Sequence, residues 1–130
     1  MVKATSPKLK RVYDPPEPGD GARILVDRLW PRGIAKDKAR IDLWLKEIAP
    51  SDGLRRRFHG HPEKWDAFCA AYEAELEGEA AQAAAKELRD RLHQGPVTLL
   101  YASRDEEHNN AVALKAWLAR PRKRKKDPAS

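Results

Sequence analysis

The chain contains two uninterrupted apolar runs that stand out from the polar sequence around them. The first is Ile24, Leu25 and Val26 within "ARILVDRL", and the second is "VTLLYA" at 97–102. Short apolar runs bounded by turn-forming residues are typical of strands that are buried on both faces. We therefore predict strands over 22–29 and 97–102, and a shorter first strand in "LKRVY" at 9–13.

Between these strands the apolar positions recur with helical spacing. Pro62 favours the first position of a helix, and Gly78 separates that helix from a second one over about 79–93. Cys69 falls inside the first apolar stripe, so we interpret it as a core residue and not as a nucleophile. The two predicted inward stripes are Trp65, Phe68, Cys69, Tyr72 and Leu76, and Ala81, Ala84, Ala85, Leu88 and Leu92.

Two further helices are predicted from their capping residues. Ser51 is a candidate N-cap of a short helix through Arg57. "AVALKAWLA" predicts a last helix with Ala111, Leu114 and Leu118 inward, capped by Ser103 or Asp105.

The segment "IDLWLKEI" at 41–48 fits either a strand or a helix. Its apolar residues alternate like those of a strand, and they also suit helical spacing. The extended residues before Pro50 favour a strand slightly.

Two apolar strands separated by a helical block predict a parallel sheet covered on both faces, in a three-layer, Rossmann-like α/β domain. Ligands of such sheets bind beyond the carboxyl ends of the strands. Polar clusters follow both strands, so we expect one shared crevice. Its candidate catalytic residues are Asp27 and His108, and its candidate ligand-binding residues are Arg28, Trp30, Arg32, Ser103, Arg104, Asp105 and Asn109.

The chemistry of these residues suits an anion. Guanidinium groups match phosphate and carboxylate geometry, and a helix N-terminus at 104–108 would add backbone donors. Asp27 and His108 are candidate proton-transfer partners, and Trp30 could stack on a planar ring. Each of these three residues also has a purely structural interpretation. Asp27 could form a salt bridge with Arg28 or Arg104, Trp30 could pack on Pro31, and His108 could be an exposed helix residue.

The net charge of +6 belongs to the two ends of the chain. Ten of the 26 basic residues lie there, and the body between them is slightly acidic. We expect a flexible arm at 1–9, a single α/β domain at 10–119 and a basic, disordered tail at 120–130, which is usually solvated but offers a weak nucleic-acid contact.

Other residue patterns narrow the function. His59 and His61 lack an evident third ligand, so no metal site is expected, and no nucleotide-binding or hydrolase fingerprint occurs, so no cofactor is expected. The chain has one cysteine, no signal peptide and no run of about 20 apolar residues. These features predict a cytoplasmic protein without a membrane contact.

Four stretches, "KRVYDPPEPGDGARILVDRLWPRG", "DLWLKEIAPS", "LRRRFHGHPEKW" and "VTLLYASRDEEHNNAVALKAWL", resemble the YeaO-like branch of the family called domain of unknown function 488. The resemblance spans about residues 10 to 119. It implies a three-layer α/β fold with a strand at 41–46, and it hints at nucleotide-like or nucleic-acid substrates. Relatives often carry Asn-His where this chain has Asn109 and Asn110.

Two functions follow from these observations. The first is a small enzyme, or a degenerate one, that carries out hydrolysis or transfer at a nucleoside, nucleotide or nucleic acid in an anion-binding crevice. The alternative is a non-catalytic ligand-sensing or nucleic-acid-associated module. The expected partner is a small anionic or nucleotide-like ligand, and the sequence leaves the oligomeric state open.

Overall fold

The computed structural model describes residues 6–35 and 40–120. Residues 1–5 of the predicted arm and the tail beyond Arg120 lie outside the described residues. The described chain forms a four-stranded parallel sheet with the order β1-β4-β2-β3, accompanied by four α-helices. The predicted three-layer α/β architecture is confirmed.

The strands occupy the predicted places but are shorter. They are β1 (Lys8–Arg11), β2 (Ala22–Leu25), β3 (Leu43–Trp44) and β4 (Val97–Tyr101). β2 and β4 are parallel neighbours, with Ile24 opposite Leu99. The ambiguous segment at 41–48 contains the short strand β3, followed by a 3-10 turn at Lys46–Ile48.

The helices follow the predicted stripes closely. They are α1 (Asp52–Phe58), α2 (Trp65–Leu76), α3 (Glu79–Gln94) and α4 (Asn110–Ala119). Ser51 caps α1, because its Oγ accepts a hydrogen bond from the Leu54 N–H at 3.1 Å. Pro62 begins a 3-10 turn, Pro62–Lys64, that leads into α2.

The core divides between the two faces of the sheet because successive strand residues point in opposite directions. Ile24 and Leu99 belong to the larger cluster, which includes the buried stripe of α3 and residues of the other helices. Leu25 and Leu100 belong to a smaller cluster with Val12, against which Trp30 and Trp44 pack.

A buried ionic cluster closes the amino-terminal edge of the sheet. The Asp20 carboxylate lies 2.6 Å from Nη1 of Arg23 and 3.1 Å from Nζ of Lys10. Asp20 and Arg23 are each only 4% exposed. Burial alone would raise the pKa of Asp20, but hydrogen bonds from the Glu17 N–H, Lys10 and Arg23 hold it below its ordinary value. This edge is therefore fixed by charge pairing, whereas the opposite edge is open.

Candidate functional site

A cleft of about 760 Å³ lies beyond the carboxyl ends of β2 and β4, and we call it the edge cleft. Because the two strands are parallel neighbours, the segments that follow them leave the sheet on the same side. All nine predicted site residues line the edge cleft: Asp27, Arg28, Trp30, Arg32, Ser103, Arg104, Asp105, His108 and Asn109. The predicted parallel pairing is confirmed, and both polar clusters line one crevice.

Asp27 joins the ends of β2, β4 and α4. Its Oδ2 accepts a hydrogen bond from the Ala102 N–H at 2.9 Å, and its Oδ1 accepts one from Nδ2 of Asn110 at 3.0 Å. Burial raises the pKa of Asp27, although these two donors and the charge of Arg55 oppose the rise. Among the described residues Asp27 makes no salt bridge, so neither Arg28 nor Arg104 pairs with it.

Arg28 crosses to the segment that precedes α1. Its Nε donates to the carbonyl oxygen of Pro50 at 3.1 Å, and its Nη2 donates to that of Ala49 at 3.0 Å. Backbone carbonyls therefore hold this guanidinium in place. Its part in an anion clamp stays a prediction. The N–H groups of the guanidinium that make neither of these two bonds would have to bind the anion.

The loop after Arg28 is fixed at several points. The Trp30 indole N–H donates to the carbonyl oxygen of Ile34 at 2.8 Å, and the Trp30 ring meets Trp44 edge-on at 5.4 Å. The Tyr13 hydroxyl donates to the carbonyl oxygen of Arg32 at 3.0 Å. The backbone of Arg32 is thus anchored while its side chain remains exposed.

The loop after β4 is shaped by Asp105. Its Oδ1 accepts hydrogen bonds from the N–H groups of Glu107 and His108, both at 2.9 Å, and its Oδ2 lies 3.3 Å from Nδ1 of His108. The backbone bonds from His108 and Glu107 lower the pKa of Asp105. Ser103 supports the turn, because its Oγ accepts from the Asp105 N–H at 3.1 Å.

The last helix lies where the pattern predicts it, but its predicted cap is wrong. α4 begins at Asn110, and its N-cap is Asn109, whose Oδ1 accepts from the Val112 N–H at 2.9 Å. Neither Ser103 nor Asp105 is the cap, and no helix N-terminus lies at 104–108. The reason is that Asp105 takes the local N–H groups into a turn of its own, which delays the helix.

Asn109 is the most buried of the predicted site residues, at 5% exposure. Besides capping α4, its Nδ2 donates to the carbonyl oxygen of Asp105 at 2.8 Å. These contacts give Asn109 a positioning role between the loop and the helix. A direct contact with a ligand stays a prediction for this residue.

Aromatic residues also line the edge cleft. They are Trp65 and Phe68, which the sequence assigned to the core, and Phe58, which it did not assign. The half-buried Trp65 ring stacks on Phe68 at 5.5 Å and meets the edge of His108 at 5.2 Å. The helical period marks Trp65 as inward-facing, but only the placement of α2 beside the sheet edge shows that it also bounds a cleft.

The charges of the edge cleft are mixed, with an excess of cations. Arg28, Arg32, Arg55 and Arg104 line it together with two acids, Asp27 and Asp105. Within residues 6–35 and 40–120, Arg32 and Arg104 have no side-chain hydrogen bond or ion pair. They lie on the β2 and β4 sides of the cleft, so they are the arginines best placed to meet an incoming anion.

His59 and His61 also line the edge cleft. Nδ1 of His61 lies 3.1 Å from Oε2 of Glu63. Over the part of the chain that the structure describes, no three His, Cys, Asp or Glu side chains come together as a metal-binding group. Over the same residues, no helix is long and apolar enough to span a bilayer.

This geometry defines a small parallel α/β protein with a cleft, lined by charged and aromatic residues, at the carboxyl edge of its sheet. The chain belongs to the inactive DUF488-N3 subclade, whose family model matches residues 7–130. The predicted family resemblance is therefore confirmed.

The chain is also similar to curated bacterial proteins. It is 48% identical to "Uncharacterized protein YeaO" of Escherichia coli K12 over 109 residues, which cover 84% of this chain and 93% of that protein. It is 42% identical over 114 residues to "Uncharacterized protein Mb3100c" of Mycobacterium bovis and "Uncharacterized protein Rv3073c" of Mycobacterium tuberculosis H37Rv, covering 88% of this chain and 94% of each. No solved structure gives a significant match.

Proposed function

We propose that this chain is a non-catalytic binding protein that holds a small nucleotide-like anion in the edge cleft. The observation that carries the proposal is the pair Arg32 and Arg104, two exposed guanidiniums on the two strand loops that border one cleft. Guanidinium groups bind phosphate oxygens two at a time, which suits them to a phosphate between the loops. The aromatic lining adds surfaces for a planar ring.

The two proton-transfer candidates favour binding over catalysis. Among the described residues no hydrogen bond or ion pair joins Asp27 and His108: Asp27 bonds Ala102 and Asn110, and Nδ1 of His108 faces Asp105. A catalytic acid and base need to reach a common open point. The family description "inactive" agrees with a protein that binds without turnover.

A hydrolase or transferase acting on the same kind of ligand is the second candidate. One observation favours it: Asp27 lines the cleft, and burial raises its pKa. Shifted carboxyl groups in clefts are frequent among catalytic acids. We also propose the cytoplasm as the setting, on the single cysteine of the chain.

A thermal-shift series tests binding, and product analysis separates it from turnover. Melting temperature is recorded with inorganic phosphate, adenosine monophosphate (AMP) and adenosine as probes. A ligand that binds the folded state raises the melting temperature, so AMP should give the largest rise. AMP recovered unchanged supports the binding protein, conversion of AMP would establish the enzyme, and no shift with any probe would overturn the proposal.

A further inference from the structure

We propose that Asp27 is a specificity-determining residue of the edge cleft, where its carboxylate accepts a hydrogen bond from a sugar hydroxyl of the ligand. The inference rests on the proposed function, since it concerns the same cleft. Arginines alone require only a phosphate. The hydrogen bond to Asp27 also requires that the ligand carry a neutral hydrogen-bond donor near its anionic group.

The first support is the unused acceptor capacity of Asp27. An ionised carboxylate offers about four acceptor positions. The described residues fill two of them, one on each oxygen, through the Ala102 N–H and the Asn110 amide. Asp27 lines the edge cleft, so the carboxylate that carries the two unused acceptor positions borders open space.

The second support is the rigidity of the carboxylate. One donor is the backbone N–H of Ala102, directly after β4. The other, Asn110, also donates to the carbonyl oxygen of Val26 at 2.9 Å, which fixes the orientation of its amide. A ligand donor therefore meets an acceptor that is already in place, and little conformational entropy is lost on binding.

The third support is the charge around Asp27. Arg28 and Arg55 line the same cleft, and the charge of Arg55 acts on the Asp27 carboxyl. An ammonium group of a ligand would be repelled by these guanidiniums, and an anionic group would be repelled by Asp27 itself. A neutral hydroxyl avoids both penalties, so the sugar of a nucleotide fits beside Asp27 while its phosphate meets the arginines.

Titration calorimetry with a matched pair of probes tests this role. The probes are AMP and 2′,3′-dideoxyadenosine monophosphate, which share the base and the phosphate and differ in the two sugar hydroxyls. We expect the wild-type protein to bind AMP at least about 10-fold more tightly, because the dideoxy ligand lacks the hydroxyl donors that the Asp27 carboxylate would accept from. In Asp27→Asn this ratio should fall to about twofold or less.

Asp20→Asn is the matched control. It makes the same change from acid to amide at the opposite edge of the sheet, so the protein should be less stable and the ratio should stay near 10-fold. A purely structural role for Asp27 predicts instead that both variants change stability and neither changes the ratio.

Several results would overturn the inference. Equal affinity of the wild-type protein for AMP and the dideoxy probe would overturn it, and this measurement does not depend on whether Asp27→Asn folds. An affinity ratio that stays near 10-fold in Asp27→Asn would also overturn it. Failure of the proposed function is distinct: neither probe would bind at all, and the inference would fall with it.

Discussion

Nε of Arg28 lies 3.1 Å from the carbonyl oxygen of Pro50, across 22 residues of sequence. Together with the bond from Nη2 to Ala49, this contact ties the exit of β2 to the segment that precedes α1. The guanidinium thus acts as part of the cleft wall. An arginine fits this position because two of its donors can meet two neighbouring carbonyls at once.

The first prediction concerns this contact. Arg28→Lys should lower the free energy of unfolding by about 1–2 kcal/mol, because one ammonium group cannot replace two fixed donors and a carbonyl is left unpaired. Chemical denaturation monitored by tryptophan fluorescence measures the change. Arg56→Lys is the control: Arg56 is exposed on α1, so its variant should stay within about 0.5 kcal/mol of the wild-type protein. An equal loss of unfolding free energy in Arg28→Lys and Arg56→Lys would contradict this structural role of Arg28.

The second prediction concerns the cap of α4. Asn109→Ala should destabilise the protein by about 1–2 kcal/mol, because the Val112 N–H loses its acceptor and the Asp105 carbonyl loses its donor. Asn109→Ser keeps a capping oxygen and should recover most of the loss. If serine is no better than alanine, the side-chain cap contributes little, and Asn109 would need another explanation.

The third prediction concerns acid sensitivity at the other edge of the sheet. Asp20→Asn should cost about 3 kcal/mol at pH 7, because it removes the carboxylate that pairs with the buried Arg23 guanidinium. The pKa of Asp20 is lowered in the folded protein, so its stabilisation is complete above the unfolded value of about 4 and is lost as the pH falls through the folded value.

Denaturation at a series of pH values checks this prediction. The gap in unfolding free energy between the wild-type protein and Asp20→Asn should be constant near neutrality and should narrow below about pH 4. Asp90→Asn, which removes an exposed pair with Lys86, should show a small effect at every pH. A gap that widens in acid would contradict the lowered pKa of Asp20.

The fourth prediction concerns the basic tail. Arg120 belongs to the folded body, since its Nη1 and Nη2 bond the Glu73 carboxylate at 3.1 and 2.8 Å. We expect deletion of 121–130 to leave the melting temperature nearly unchanged, because these residues offer no apolar face to bury. Any affinity for a single-stranded oligonucleotide should weaken, and its salt dependence should flatten, because fewer phosphates are neutralised. If the deletion leaves the salt dependence of oligonucleotide binding unchanged, the folded domain and not the tail binds the oligonucleotide.

Sequence periodicity predicted most of the fold because the core is built from regular stripes. The five predicted inward residues of α3 are all buried: Ala81, Ala84, Ala85, Leu88 and Leu92. The two apolar strands pair in parallel as their composition indicates. β2 is shorter than predicted: the Val26 N–H still donates to the carbonyl oxygen of Leu100 at 3.1 Å, but the Ala102 N–H that follows β4 bonds the Asp27 side chain and not the backbone of β2.

The site was harder to predict because its residues have competing local uses. The pattern brought Asp27, Arg28 and Arg104 to one edge correctly. It did not show that Arg28 would bond carbonyls from the α1 segment, since that contact depends on how α1 lies against the sheet. It also placed the cap of α4 on Ser103 or Asp105, but the Asp105 side chain closes its own turn and Asn109 is the cap.

The proposed anion site depends on two exposed arginines, Arg32 and Arg104, and titration calorimetry with AMP measures its affinity. The three proteins to compare are the wild type, Arg32→Ala/Arg104→Ala, and the control Lys86→Ala/Arg91→Ala, which removes two cations from α3, away from the cleft. We predict submillimolar binding by the wild type, a loss of about 10- to 100-fold in the arginine variant and a change within about twofold in the control, with similar melting temperatures. A wild-type protein that binds no AMP up to millimolar concentrations, or an arginine variant that binds as tightly as the wild type, would rule out an anion site formed by Arg32 and Arg104.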